Sequence, residues 1–299
     1  MSKSKKKNKK ARRLPLWLAL PLAVLVVLLR FLFPGEEAET AAPLPAPSDA
    51  LVVRFLDVGQ GTSALLSMGD THILVDAGEN DMGGRVLADL QALGIDRLAL
   101  AVGSHPHSDH IGGMDTVLSA VDCGLYWMPD VATTTKTFSD VLDVLEEKNI
   151  PVDYPPVGKS QRFGDLTLTV LSPQDPDEGN LNNASLVLRA SCEYGSVLLP
   201  GDAEKQMEKQ MLENGMRLTA DVLLLSHHGS STGNTSAFLA AVNPQIAVIP
   251  VGAGNDYGHP HKEVLERLAD RGLTPYRTDE NGTVTVTMSK KGISVSSEK

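Results

Sequence analysis

Cysteine is nearly absent. Cys123 and Cys192 are the only two in 299 residues, so neither a disulfide-built scaffold nor a thiolate metal site carries this chain. Both lie in apolar surroundings where buried thiols are common, and a bridge between them is possible but not favoured. Aromatic residues make up only 4% against 42% hydrophobic overall. That composition suffices for one large core, as in layered α/β domains of about 250 residues, and makes a second full domain unexpected. Basic residues are scarce beyond the N-terminus: nine of 27 precede residue 31, where no acid occurs, leaving 18 basic against 37 acidic, a net of −19. Such a field repels polyanions and argues against tight, non-specific nucleic-acid binding unless bound cations or a local basic rim supply positive potential. It does not exclude catalysis on phosphodiesters.

The N-terminus has a different character. Residues 1–13 carry eight Lys or Arg and no acid, and Leu14 to Phe33 is apolar apart from Arg30 and prolines. Twenty residues at about 1.5 Å each can cross a hydrocarbon core of roughly 30 Å, with the basic flank retained in the cytoplasm. The expectation is a basic cytoplasmic tail (1–13), a membrane anchor (14–33), an extended Pro/Ala/acid-rich linker (34–50) and an external domain (51–299). A cleaved signal segment, giving a secreted protein, is the alternative. The apolar run exceeds the usual length of such a segment, and no strong small-x-small site follows it directly. No cysteine lies near enough for lipoprotein anchoring.

From Leu51 onward, short apolar or alternating runs separated by Gly-containing turns (Leu51–Leu56, Thr62–Met68, His72–Val75) predict an antiparallel meander. Helices and strands then alternate: helices over Arg85–Leu93, Ile111–Val121 and Phe138–Lys148, and strands at Leu98–Val102 and Leu125–Met128. Asp165–Leu171 and Leu186–Leu199 are hairpin-like. The second half repeats the style, with helices Glu204–Asn214, Ser236–Val242 and Lys262–Arg271 between strands Val222–Leu225 and Ile246–Val251. Strands Val284–Met288 and Ile293–Val295 close the chain. Two mixed sheets face to face with helices outside, a four-layer αββα sandwich, fit this order.

His105-Pro106-His107-Ser108-Asp109-His110 puts four metal-ligand side chains into six residues at the end of an apolar run. On an extended segment His105 and His107 point to one side, while Asp109 and His110 can turn away at a helix start toward a second ion. Gly112 and Gly113 then let backbone pack closely behind them. A two-metal hydrolase is the chemistry implied. Four more patches end apolar strands in acids or histidines: Val75-Asp76-Ala77-Gly78, Leu199-Pro200-Gly201-Asp202, Leu225-Ser226-His227-His228-Gly229 and Gly258-His259-Pro260-His261. Each is weak alone, but strand ends on one rim can converge on one site.

These pieces together resemble the metallo-β-lactamase-fold hydrolases, and within them the external hydrolase-like domain of ComEC-type DNA-uptake proteins. The resemblance runs through FLDVGQG, LVDAG, SHPHSDHIGG, NNASLVL, LLPGD, LLLSHHGS, YGHPH and RTDENGTV, nearly all of residues 51–296. It implies a shallow site between two pseudo-repeats holding one or two divalent ions, zinc or manganese. His105 and His107 would hold the first ion, Asp109 and His110 the second, and Asp202 would bridge both. His227 would complete the second site, with His228 the alternative. Asp76 looks like the acid that orients the histidine loop, although a turn aspartate before Gly78 is a competing role. Asp57, Gln60, Asn183 and His261 are the further supporting or substrate-facing candidates. Where many relatives place a histidine before the bridging acid, this chain has Asn182 and Asn183, as ComEC-like proteins tend to. Asparagine is a weak, hard ligand, which weakens the first site or shifts it toward manganese. Thr62 stands where DVGQG is often followed by Asp.

Two such ions would lower the pKa of a bridging water, making hydroxide the nucleophile. Asp109 would hold its proton, and His228 or His259 would donate to a phosphoryl oxygen or leaving group; for His259 and His261 a capping or surface role before Lys262 competes. Backbone amides of a helix opening near Ser230 to Ser236 are candidate phosphate donors. Arg54, Arg189 and Arg277 read as sheet or surface charges. The leading expectation is an extracytoplasmic phosphodiesterase acting on DNA, partnered by a separate membrane channel. The alternatives are a hydrolase of a small ester, lactone or surface-polymer phosphoester, and a non-catalytic metal-binding module assisting a DNA-uptake channel.

Overall fold

The computed structural model describes Pro47, residues 49–173 and residues 179–299. The expected basic tail, membrane segment and nearly all of the linker lie outside the described residues. Among those described, no helix is long and apolar enough to cross a membrane.

In chain order the strands are β1 (Ala50–Phe55), β2 (Ala64–Met68), β3 (Thr71–Val75), β4 (Arg97–Leu98), β5 (Leu100–Val102), β6 (Asp122–Cys123), β7 (Tyr126–Trp127), β8 (Val152–Asp153), β9 (Ser160–Phe163) and β10 (Leu166–Ser172). They continue as β11 (Val187–Cys192), β12 (Gly195–Leu199), β13 (Val222–Leu224), β14 (Ile246–Ile249), β15 (Tyr276–Arg277), β16 (Val284–Ser289) and β17 (Gly292–Ser297). The helices are α1 (Gly83–Ala92), α2 (Ser108–Ile111), α3 (Met114–Ala120), α4 (Lys136–Glu147), α5 (Lys205–Glu213), α6 (Ser236–Val242), α7 (Lys262–Ala269) and α8 (Thr278–Asn281). Eight strands form one sheet in the order β17-β16-β1-β2-β3-β5-β7-β8, and seven form another, β15-β14-β13-β12-β11-β10-β9.

Strand periodicity explains the layers. In β2, β3 and β5 the residues Leu66, Ile73, Val75, Leu100 and Val102 join a core shared with Leu188, Val197, Leu199, Val222 and Leu224 of the second sheet. Their alternate neighbours Leu65, Leu74 and Ala101 pack instead under α1, α3 and α4, against Val86, Leu90, Val117, Phe138 and Val141. On the other side Val187, Leu198, Leu223 and Ile249 meet Met207, Met211, Phe238, Leu239, Val264 and Leu268 of α5, α6 and α7. A strand buried on both faces needs apolar residues at every position, hence the unbroken runs. The αββα sandwich expected from the sequence is therefore present. Its parallel ladders β3 to β5 and β12 to β13 to β14 end on one rim, at Asp76, the histidine loop, Asp202 and His227–His228.

Two expected elements are broken. Leu98–Val102 splits: Arg97–Leu98 pairs with Asp122–Cys123 in a separate two-stranded ladder, and only Leu100–Val102 enters the large sheet. Helix Ile111–Val121 is interrupted at Gly112-Gly113, leaving α2 and α3. Close backbone approach demands glycine here. A Cβ on Gly113 would sit 2.5 Å from the Ala77 carbonyl oxygen and 2.6 Å from the Gly83 nitrogen. Of the two roles expected for these arginines, Arg54 takes the sheet one, buried in β1, while Arg189 donates to the Thr219 carbonyl at 2.8 Å and Arg277 pairs with Asp279. Both cysteines are free thiols and only partly buried.

Because backbone blocks both sides of Gly113, Gly113→Ala should destabilise the protein by about 1–3 kcal/mol, the usual range for overpacking. Denaturant unfolding measures this, and a loss under about 0.5 kcal/mol, the scatter of ordinary surface changes, would show that the segments part freely.

Candidate metal centre

The site begins with one carboxylate. Asp76 follows β3 in the left-handed region (φ 61°), a conformation that a short polar side chain tolerates when its surroundings hold it. It accepts from the Ser104 N–H and the Ser104 hydroxyl, each at 2.7 Å. The His110 Nδ1–H donates to the same carboxylate at 2.7 Å. With Nδ1 so engaged, His110 presents Nε2 to the rim. Ser104 has spent its only hydrogen on Asp76, so its oxygen accepts from His105 Nδ1 at 3.2 Å, which leaves His105 Nε2 bare.

His228 is set from the opposite sheet. Its Nδ1–H donates to the Pro250 carbonyl at 2.8 Å, and its Nε2 lies 3.1 Å from Asp109 Oδ2 and 3.9 Å from Asp202 Oδ2. Asp109, His110, Asp202 and His228 offer ligand atoms that all lie within 4.8 Å of one another. His110 Nε2 and Asp202 Oδ1 are 3.1 Å apart, yet both are buried atoms without an aligned hydrogen-bond partner. Two buried polar atoms that face each other without bonding suit a shared cation, which fits a divalent ion held by nitrogen and carboxylate oxygen.

Beside this cluster His105 Nε2 and His107 Nδ1 are 2.9 Å apart, and His105 Nε2 is 3.9 Å from Asp202 Oδ2. Asp202 thus stands between the two histidine groups. Burial opposes charge on His110, but the carboxylates of Asp202, Asp76 and Asp109 outweigh it and raise its pKa well above the ordinary imidazole value. Burial likewise works against an ionised Asp202, and His110 and His228 overcome it, holding the carboxyl well below its usual range. His105 is pushed the other way, well below the ordinary imidazole value, first by burial and then by His110.

A model of the metallo-beta-lactamase superfamily matches residues 56–253. The chain belongs to that superfamily. It is 31% identical over 260 residues to ComE operon protein 3 of Bacillus subtilis, covering 80% of this chain and 33% of that protein. It is 33% identical over 226 residues to Recombination protein 2 of Haemophilus influenzae, covering 72% and 26%. The competence protein ComA of Neisseria gonorrhoeae matches at 28% over 253 residues, 84% of this chain and 34% of the relative. The chain spans about a third of the length of these relatives, and the match bears out the resemblance to a ComEC-type domain of the superfamily. Among solved structures, the metallo-beta-lactamase fold protein YhfI of Bacillus subtilis superposes with a TM-score of 0.52 at 15% identity, over 77% of this chain and 95% of that one. CmlA, a diiron β-hydroxylase of Streptomyces venezuelae, superposes with 0.55 at 15% identity, over 82% and 55%. At these identities the shared property is the fold.

Within this superfamily site several sequence expectations change. The structure puts His228, not His227, in the cluster. Both residues are left-handed, at φ 50° and 53°, and the two rings part. His227 Nδ1 meets Thr232 Oγ1 at 3.1 Å, and its Nε2 remains 3.7 Å from Asp202. With Nδ1 spent on Pro250 and Nε2 turned to the cluster, His228 has no proton to spare for a leaving group while it holds an ion. His259 lines the cleft, but burial, then the imidazoles of His228, His227 and His261, push its pKa down to about 4. At neutral pH it offers a hydrogen bond rather than an acid proton.

Asp57 takes no part in the cleft. Its Oδ1 accepts from Gly59 N at 3.4 Å and its Oδ2 lies 3.5 Å from Lys299 Nζ, so it shapes only the turn that carries Gln60. Gln60 does line the cleft, its Oε1 accepting from Gly252 N at 3.0 Å. Asn183 Oδ1 accepts from Glu204 N at 3.1 Å, bracing the turn after Asp202, whereas Asn182 faces the cleft. His261 accepts from Ser231 N at 2.9 Å and packs edge-on to His259. Two of the amides expected to receive phosphate are already engaged, because Asn234 and Thr235 N–H groups donate to buried Glu208. Ser104, Glu208 and Ser185, whose hydroxyl accepts from Asp202 N at 3.0 Å and lies 3.3 Å from His105 Nδ1, were missed. Adjacency to His105 was the available signal for Ser104; nothing in the sequence singles out Glu208.

Asp76→Asn should lower divalent-metal affinity about 10–100-fold, the usual cost of losing the partner that orients a ligand; titration calorimetry giving an unchanged affinity would remove that role. His228→Ala should cut bound metal measured by elemental analysis while His227→Ala retains it, and the reverse result would restore His227 as the ligand.

Proposed function

We propose that this chain is a metal-dependent phosphodiesterase acting on DNA. The observation that carries the reading is the position of the Asp109, His110, Asp202 and His228 cluster. It lies in an open cleft of about 530 Å³ that Asn182, His227, Tyr257 and His259 also line. A cleft of that size admits a small substrate or one unit of a polymer. Among the described residues its lining contains no Lys or Arg, so bound cations would supply positive potential for a phosphodiester. The competence relatives support DNA as the polymer.

When bound, divalent ions would supply Lewis-acid stabilisation of a phosphoryl oxygen and activation of water. His105, His107, Asp109, His110, Asp202 and His228 would hold them, zinc or manganese being the expected metals. The protein's own part is orientation and proton placement. Asp76 keeps the His110 Nδ1 proton away from the cleft, Pro250 does the same for His228, and Asp109 at the cleft wall, 3.1 Å from His228 Nε2, would hold an ion and orient the attacking water. Gln60 and His259 supply neutral polar groups on the opposite wall.

The basic N-terminal flank and apolar segment support a single-pass membrane protein with its hydrolase domain outside, a secreted form being the alternative. The similarity to competence proteins of about three times the matched length supports work beside a separate membrane channel. The acidic domain and the cleft without cationic side chains favour, as a second reading, hydrolysis of a small ester, a lactone or a surface-polymer phosphoester.

With manganese or zinc, the full-length protein should cut labelled single- or double-stranded DNA, and His105→Ala should abolish the cutting. Asp202→Ala should lose more than about 100-fold in turnover, beyond the cost of losing an outer partner, together with bound metal. Metal binding without DNA cleavage would move the assignment to small esters or to a non-catalytic module, and a fully active Asp202→Ala enzyme would remove Asp202 from the residues that would hold the metal.

A further inference from the structure

Tyr257 is 69% exposed, more than either of the other exposed large hydrophobic residues among those described, Leu142 at 38% and Tyr154 at 50%. It alone of the three lines the cleft. One face of its ring is covered by His259, with centroids 5.6 Å apart and planes inclined by 20°. His259 in turn lies over His228, at 6.2 Å and 29°. Three near-parallel rings therefore lead from solvent to the metal cluster, and the outer face of Tyr257 is the open end of the series.

The loop is fixed in this arrangement. Asn255 Oδ1 accepts from Tyr257 N at 3.2 Å and from His259 N at 3.0 Å, while its Nδ2 donates to the Gly252 carbonyl at 3.0 Å and the His259 carbonyl at 2.7 Å. An aromatic ring held open to water beside a reaction centre has forgone burial that such a side chain usually finds. Flat aromatic platforms beside a phosphodiester site bind unpaired bases, because every base has a π-face and stacking is tolerant of sequence. A duplex buries those faces in its own stack. Among the described residues no Lys or Arg lines the cleft, so stacking is a contact that a nucleotide could make there without a cationic side chain.

We infer that Tyr257 is a stacking platform for an unpaired base next to the scissile phosphate, which makes single-stranded nucleic acid the preferred substrate. The inference rests on the phosphodiesterase reading for its scissile group. It predicts base-dependent binding that can be measured without turnover.

The experiment uses the full-length, metal-loaded protein as wild type, Tyr257→Ala and Tyr257→Phe. The ligands are a labelled, cleavage-resistant oligothymidylate and an abasic oligomer of equal charge, with binding followed by fluorescence anisotropy. Cleavage of ordinary oligothymidylate gives KM and kcat. Tyr257→Ala should weaken oligothymidylate binding and raise KM about fivefold or more, the lower end of measured base–aromatic stacking, with kcat within about twofold. Tyr257→Phe should match wild type, abasic oligomer binding should be unchanged, and duplex of the same sequence should compete less well. Equal losses on the abasic oligomer, or unchanged binding of oligothymidylate by Tyr257→Ala, would overturn the inference while leaving any cleavage intact. Tyr257-dependent binding without cleavage in any metal would support the platform and sink the phosphodiesterase reading instead. Failure to bind oligothymidylate at all overturns the platform.

Discussion

The Asp76 carboxylate is the constraint on which the site depends. One buried side chain receives three donors, from the Ser104 backbone, the Ser104 hydroxyl and the His110 ring. Those three bonds set the direction of two imidazoles at once. His110 is held directly, and His105 indirectly, because Ser104 has no hydrogen left and can only accept from it. The same carboxylate is also one of the groups that raise the His110 pKa. Geometry and electrostatics here have a common source.

The opposite wall is organised by different means. Two consecutive non-glycine residues, His227 and His228, occupy the left-handed region, at a cost of order 1–3 kcal/mol each when sparsely populated. The surrounding loop offsets it with buried polar bonds: Asn234 bonds to both backbone groups of Ser226, and Glu208 caps Asn234 and Thr235 from α5. Arg267 of α7 donates to the Gly233 and Asn234 carbonyls at 3.2 Å and 3.0 Å. A helix of the outer layer thus braces the loop that follows the metal-facing histidine.

How far the sequence disclosed this depended on distance along the chain. The αββα layers were legible because periodicity is local, and the histidine turn because its ligand types crowd into six residues. The choice between His227 and His228 was not, since adjacent residues share every sequence cue and the deciding carbonyl, Pro250, lies on another strand end. Asp57 misled for the converse reason: closeness to Gln60 in a motif says nothing of which way a side chain turns. The loop amides near Ser230 to Ser236 read as available because Glu208, which occupies two of them, sits in α5 with no marking in the sequence around it. The glycine pair was read as permitting close packing, which the Gly83 backbone beside Gly113 bears out, but the break it makes between α2 and α3 was not foreseen.

The four cluster residues are divided evenly between the sheets. Asp109 and His110 follow β5 of one, while Asp202 and His228 follow β12 and β13 of the other. A cation gripped by all four would act as a cross-link between the halves of the sandwich, closing a long loop in the chain as a disulfide does elsewhere. A protein with two unpaired cysteines has no covalent staple of that kind. Its catalytic ion and its mechanical fastening would then be one object, so that conditions which strip the metal would loosen the seam between the sheets as well as silence the chemistry.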